Sequence, residues 1–283
     1  MIAGTSSMPR RVPARAAAGG PARASRAAKS ALDWSARLWV VVAGAGQLVF
    51  LFYIAVLYGS AALGGDPAAW NKVMPKGNVP GDTAGNFAVA MHVLLAAVIT
   101  GGGLIQLVPQ LRRHAPALHR WNGRLYVVTA FVISLGGLYM VWVRGSATGG
   151  VAISLNAVLI MFFAAMAWRQ ARMRGFGAHR RWALRLFLAS SGVWFIRIGV
   201  MGWILVNGRP VGFDPETFTG PFITFWSFAS YLLPLAVLEL YLRAQERAGN
   251  RGRFAMAATL AVLTVATAIG IFAATMGMWL PAL

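Results

Sequence analysis

Two short basic segments carry the residues best suited to chemistry. Segment 119–126 reads His-Arg-Trp-Asn-Gly-Arg-Leu-Tyr, and segment 179–187 reads His-Arg-Arg-Trp-Ala-Leu-Arg-Leu-Phe. In both, an arginine follows the histidine directly and another comes five or six residues after the histidine. A mostly apolar run of about 20 residues then follows, which is the length of a membrane span. We name these segments the first and second His-Arg clusters and expect each to open a transmembrane helix at the cytoplasmic face.

The arginines of the two clusters are candidate ligands for an anion. Guanidinium groups bind phosphate and carboxylate in a forked geometry, and the free N–H groups at a helix start add positive potential. A phosphate, a carboxylate or a lipid headgroup would therefore be held there. The alternative is that these arginines only set the orientation of the protein in the membrane, because basic loops face the cytoplasm. The candidate residues are Arg120, Arg124, Arg180 and Arg185.

The two cluster histidines, His119 and His179, suit a second chemistry. A bis-histidine haem b needs two imidazoles from facing helices and positive groups for its propionates, and both requirements are met at the cytoplasmic end. Such a protein would exchange electrons with a quinone. We expect no separate metal site, because His92 is predicted at the opposite depth and the chain has no cysteine. The absence of cysteine also excludes disulfides, iron–sulfur clusters and thiolate ligation of haem.

Three further polar residues are predicted inside the bilayer at a similar depth, and they are His92, Asn156 and Arg197. At 1.5 Å per helical residue they lie roughly 9–14 Å below the outer surface. Polar side chains at that depth are costly and usually face a bundle interior or a cavity. Arg197 has no acid at its depth, so it must reach outward, bind carbonyls and water, or hold an anionic group of a ligand. A polar contact between helices is the alternative for all three.

The elements that position these residues follow from composition. The chain is 58% hydrophobic and 12% charged, its mean hydropathy is +0.62, and soluble domains have roughly 25% charged residues. Continuous apolar runs predict an all-α polytopic transmembrane helix bundle, and no segment between the runs is long enough for a soluble domain. The seven predicted spans are 38–60, 86–109, 124–143, 150–168, 182–206, 220–241 and 255–279.

The distribution of lysine and arginine predicts the orientation. Twenty-one of these residues lie in the N-terminal tail and in alternate loops, and four lie in the loops of the opposite face. The positive-inside rule then places the N-terminus in the cytoplasm and the C-terminus outside, in a bacterial inner membrane. The formal net charge of +19 is therefore mainly a topology signal. We expect no nucleic-acid partner, because no basic folded surface is predicted.

The remaining predictions concern domain organisation and two interior features. Residues 1–36 are expected to be a disordered basic tail lying against anionic lipid, and 37–283 a single transmembrane domain. Glu239 is expected to pair with a cluster arginine, and a proton-relay role is the alternative. The glycines of 101–103 are expected to permit close contact between helices or a kink in the span.

Taken together, the motifs resemble those of a bacterial membrane-protein family known as domain of unknown function 2306. The resemblance covers about residues 38–245 and leaves the last span, 255–279, as an addition. Arg181 is an extra arginine relative to the family pattern, and Ala183 stands where a methionine is expected. The family implies a topology and no activity. The motifs that carry the resemblance are His92, Gln106–Pro109, Leu118–Tyr126, His179–Arg185 and Arg197.

Three hypotheses of function follow from these residues. The first is a membrane protein that binds a small or lipidic anion through the cluster arginines, as a transporter or a sensor would. The second is a haem b redox protein, and the start of the first cluster is similar to helix starts in two-haem cytochromes b, by analogy only. The third is a membrane assembly factor without chemistry of its own. The sequence determines neither an enzyme activity nor an oligomeric state.

Overall fold

The computed structural model describes residues 19–74, 76–143 and 149–283, with the side chains of 19–21 and 72 left out. This part of the chain is helical and contains no β-strand. A 3-10 turn, Pro67–Lys72, connects the first two helices, and a π-helical turn, Thr275–Trp279, extends the last one. The helices are α1 Gly19–Leu63, α2 Thr83–Leu107, α3 Pro109–His114, α4 Pro116–Trp142, α5 Gly150–Arg172, α6 Phe176–Ser190, α7 Gly192–Asn207, α8 Pro221–Arg247 and α9 Asn250–Ala274.

Six of these helices, namely α1, α2, α4, α5, α8 and α9, are long and apolar enough to cross a membrane. The pair α6–α7 gives a seventh span if it is counted as one, and its two helices are bent by 51° at a break. The predicted all-α membrane fold is confirmed. The fifth predicted span, 182–206, is not one continuous helix, because the helix is broken at Ser191.

Helix α1 begins within the segment that we expected to lack regular structure. Residues 19–36 are helical, whereas residues 1–18 lie outside the described part of the chain. The segment contains six alanines, two arginines and one lysine, which are good helix formers. Leu32 is buried against Ala244, Met256 and Leu260 of α8 and α9. Packing against these two helices therefore extends α1 far beyond its apolar span.

The helices pack through glycine contacts at several crossings. A Cβ on Gly103 of α2 would lie 3.1 Å from Phe187 and 3.2 Å from Tyr126. A Cβ on Gly270 of α9 would lie 2.7 Å from the carbonyl oxygen of Ile198 in α7. Only glycine permits so close an approach of two helices. The expectation of close helix contact in 101–103 is confirmed.

The two His-Arg clusters occupy equivalent positions in the fold. His119 is the fourth residue of α4 and His179 is the fourth residue of α6. The backbone N–H of His119 donates to the Ala115 carbonyl, and that of His179 donates to the Gly175 carbonyl. Each histidine therefore makes the first helical hydrogen bond of its helix, one arginine follows it directly, and another lies five or six residues further along.

Candidate functional site

The break between α6 and α7 is supported by polar side chains from two other helices. The Gln47 amide of α1 donates a 3.0 Å hydrogen bond to the Ser191 hydroxyl, which donates in turn to the Phe187 carbonyl. Asn156 of α5 donates a 3.2 Å hydrogen bond to the carbonyl of Ala189 in the last turn of α6. Carbonyls in the last turn of a helix have no partner within that helix. Asn156, a predicted ligand residue, is therefore placed as a support of the break.

Sequence reasoning missed Gln47 and Ser191. The signal was present, because a glutamine inside an apolar span and the serine pair 190–191 before Gly192 are unusual in hydrocarbon. Neither pattern shows which helices meet, so neither reveals that the two side chains contact each other.

His92 lies at the contact between α2 and α4. Its ring faces Gly136 and Gly137, where an added Cβ would lie 3.7 Å from the imidazole. Its Nδ1 atom is buried and has no hydrogen-bond partner among the described residues. His92 therefore fills a space that two glycines leave open.

Arg197 lies on the face of α7 that meets α1. Its Nη1 donates a 3.1 Å hydrogen bond to the Val193 carbonyl, and its Cζ lies 5.3 Å from the ring centroid of Phe50. No carboxylate of the described residues forms an ion pair with it. The three residues predicted at a similar depth thus occupy three different interfaces and do not form one site.

The first His-Arg cluster packs against α2 on one side and is exposed on the other. On the packed side, Gln106 of α2 donates to the backbone carbonyl of His119, and Asn122 donates to the carbonyl of Gly102, both at 2.9 Å. These bonds tie α2 to α4. On the other side Arg120 is exposed, and the guanidinium of Arg124 stacks 4.7 Å above the ring of Trp121, which is also exposed.

In the second His-Arg cluster, two arginines have carboxylate partners. Arg185 donates from Nε and Nη2 to the two oxygens of Glu239 at 2.7 and 2.9 Å. Arg181 donates to Glu246 at 3.2 Å. The expected pairing of Glu239 with a cluster arginine is confirmed. Because Glu239 already holds both of its forked donors, Arg185 is poorly placed to bind a further anion.

The two cluster histidines lie near each other at one end of the bundle. His179 donates from Nδ1 to the Ala167 carbonyl at 2.9 Å. The His119 ring interacts electrostatically with His179 and with Arg112, and its Nδ1 is buried without a partner in the described part of the chain. The described residues contain no group of three or more histidine or acidic side chains that could hold a metal ion.

Arg180 borders a cavity of about 330 Å³. The cavity lies between α1, the broken span α6–α7, α8 and α9, and the end of α2 closes one side. Arg180 itself is exposed and lies beside the hydroxyl of Tyr241, so these two residues form the polar mouth of the cavity. Apolar residues make up most of the wall, among them Trp39, Phe187, Phe195, Ile198, Trp226, Leu233, Pro234 and Leu263.

The loop between α7 and α8 is ordered by Asp214. This carboxylate accepts hydrogen bonds from the backbone N–H of Glu216 at 2.8 Å and from the Thr217 hydroxyl at 2.9 Å. These bonds favour the charged form and hold the pKa of Asp214 below its usual value.

Comparison with known proteins gives a match to one family model and no activity. No curated protein and no solved structure matches the chain. The matched family is described as "Predicted membrane protein (DUF2306)". Its model covers residues 89–220, a region that includes α3 to α7, most of α2 and both His-Arg clusters. This match confirms the resemblance that the motifs indicated for residues 89–220, a narrower region than the expected 38–245: over that region, less than half of the chain, the protein is similar to the predicted membrane proteins of DUF2306.

Proposed function

We propose that this protein is a multi-pass protein of the bacterial inner membrane that binds an anionic amphiphile, with the apolar part in the cavity and the acidic head at Arg180. The observation that carries the proposal is the position of Arg180 and Tyr241 at the mouth of a mostly apolar cavity. A ligand with an apolar chain and one acidic group matches both parts. The volume of about 330 Å³ lies at the lower end of the range for small-molecule pockets.

Among the predicted cluster arginines, Arg180 is the best placed for this role. Arg185 is held by Glu239, and Arg124 stacks on Trp121. Arg120 is exposed and does not line the cavity. Arg180 has no carboxylate partner in the described part of the chain, so its charge is available to a ligand.

The broken span supports a transporter-like or sensor-like role. Helices α6 and α7 both contribute to the cavity wall, and the break at Ser191 lies between their contributions. Discontinuous helices that line a binding cavity are typical of transporters, where they let one part of the bundle move against another.

A binding assay with paired variants tests the proposal. Oleate is the anionic probe, and oleyl alcohol has the same chain without the charge. We expect Arg180→Gln to weaken oleate binding by about tenfold, the loss expected for one hydrogen bond to a charged group. Arg120→Gln is the matched control, because Arg120 also follows the histidine of its cluster. Equal affinity of the wild-type protein and Arg180→Gln for oleate would overturn the proposal.

The proposed orientation has its own test, because the chain has no cysteine. Arg209→Cys should react with a membrane-impermeant maleimide in intact cells, whereas Arg113→Cys should react only after the cells are opened. Both residues are exposed. The reverse pattern would place the N-terminus outside.

A second candidate function is haem b binding by His119 and His179. The supporting observation is that Nδ1 of His179 donates to a carbonyl, which leaves Nε2 free. Histidines that bind metals usually donate their other ring N–H in this way. The protein purified after haem supply should then show a Soret band that His119→Ala and His179→Ala abolish. His114→Ala is the control, because His114 is exposed on α3. A colourless wild-type protein would exclude this function.

A further inference from the structure

Arg197 lies on the opposite side of α7 from the cavity. Phe195, Ile198 and Gly199 line the cavity, whereas the guanidinium of Arg197 lies over Phe50 of α1. The residue is half-buried. Its position is therefore separate from the proposed amphiphile site.

The hydrogen-bonding capacity of Arg197 is largely unused. A guanidinium has five N–H donors, and in the described part of the chain one of its nitrogens donates, to the Val193 carbonyl. The same part of the chain supplies no carboxylate to this arginine. A cation inside a membrane protein needs compensation by an opposite charge or by hydrogen-bond acceptors.

The surroundings of Arg197 add further donors. The hydroxyls of Tyr53 and Tyr58 interact electrostatically with its guanidinium. The ring centroids of Trp70 and Tyr58 lie 5.7 Å apart, and those of Trp279 and Tyr53 lie 6.2 Å apart. Both indole N–H groups are buried, and neither has a hydrogen-bond partner among the described residues. An indole N–H can only donate, so this region has a surplus of donors, and none of the described residues supplies it with an anionic acceptor.

We propose that these residues form a second anion site, the Arg197 aromatic cluster, which binds a carboxylate or phosphate group. The cluster consists of Arg197, Phe50, Tyr53, Tyr58, Trp70 and Trp279. Its guanidinium matches the forked geometry of both oxyanions, and the aromatic rings exclude water around the charge.

This site lies at the other end of the bundle from Arg180. Trp70 precedes the start of α2, and Trp279 follows the end of α9. The cavity mouth, in contrast, lies near the start of α6 and the end of α2. The second site can therefore exist whether or not the amphiphile binds at Arg180.

Equilibrium binding to the delipidated full-length protein in a neutral detergent tests this site. Three probes are used: radiolabelled acetate, inorganic phosphate, and phosphatidate dispersed in the same detergent. We expect at least one of them to bind, and Arg197→Gln to weaken that binding by at least tenfold. The probe whose binding Arg197→Gln weakens most shows whether the source at this site is a carboxylate, a free phosphate or a lipid headgroup.

Arg124→Gln is the matched control, because Arg124 also stacks on an aromatic ring but lies exposed on the first cluster. Arg124→Gln should leave the affinity for the probe unchanged, and Arg197→Lys should retain only part of the wild-type affinity. Absence of binding with all three probes would overturn the proposal. Equal affinity of Arg197→Gln and Arg124→Gln would also overturn it.

Two tryptophan variants decide the question if Arg197→Gln does not fold. Trp70→Phe and Trp279→Phe keep the cation and remove one indole N–H each. A loss of severalfold in affinity in either variant supports the site, and unchanged affinity in both overturns it. Trp168→Phe, on the exposed side of α5, controls for loss of a tryptophan as such.

Discussion

Gln47 and Ser191 are joined by a buried hydrogen bond of 3.0 Å that connects α1 to the break between α6 and α7. Gln47 is 3% exposed and Ser191 is 8% exposed. The Ser191 hydroxyl also donates to the carbonyl one turn earlier, so it is satisfied as donor and as acceptor. The break is thus a supported feature of the bundle, and part of its support comes from α1, a helix that lies outside the matched family region.

Loss of this bond should destabilise the protein measurably. We expect Gln47→Leu to lower the free energy of unfolding by about 1 kcal/mol, the usual value for one side-chain hydrogen bond in water or in a membrane. Unfolding in mixed detergent and SDS micelles measures the change. Gln110→Leu, at an exposed position, is the control. An equal effect of the two substitutions would show that the Gln47 bond contributes nothing.

The crossing of α7 and α9 should tolerate no side chain at Gly270. A Cβ there would lie 2.7 Å from a backbone oxygen of Ile198, and backbone cannot move aside as a flexible side chain can. We expect Gly270→Ala to destabilise the protein by about 1–3 kcal/mol. Gly59→Ala, which meets nothing within 4 Å, should instead stabilise α1 by about 0.5–1 kcal/mol. Thermal unfolding of both variants tests the pair, and a stable Gly270→Ala protein would contradict the close crossing.

Arg185 and Glu239 should be energetically coupled. Their bond is bidentate, and the Arg185 side chain is 18% exposed and that of Glu239 is 39% exposed. Because of this partial exposure, we expect a coupling energy of about 1 kcal/mol in a double-mutant cycle of Arg185→Gln and Glu239→Gln. The same cycle on the more exposed pair Arg181 and Glu246 should give about half of that value or less. Equal coupling in the two cycles would contradict this ranking.

The loop between α7 and α8 should lose order in acid. The pKa of Asp214 is lowered by its hydrogen bonds in the folded protein, so its stabilisation is complete above the unfolded value of about 3.9. It is lost as the pH falls through the lower folded pKa. Hydrogen exchange at the Glu216 amide should then accelerate relative to the intrinsic rate. In Asp214→Asn this pH dependence should vanish, and its persistence would assign the effect to another group.

Part of the candidate site was predictable because the signals are local. The His-Arg clusters are read from adjacent residues, and helix periodicity places their histidines and arginines at one end of a span. The pairing of Glu239 with an arginine was also predictable, because a carboxylate near the inner end of a span has few other partners. The choice of Arg185 over its neighbours was not, because it depends on which face of α6 meets α8.

The sequence alone determined that this protein is a membrane-embedded helix bundle, since continuous apolar runs of spanning length permit few other structures. It also determined which residues are costly to bury. Only the tertiary structure decided that Asn156 supports a broken helix and that His92 fills a glycine-lined space. The same holds for Arg180 at the mouth of a cavity and for the donor-rich aromatic surroundings of Arg197. Spacing along the chain determines the depth and the face of a residue, whereas its neighbours depend on helix pairing, which is set by packing between segments far apart in sequence.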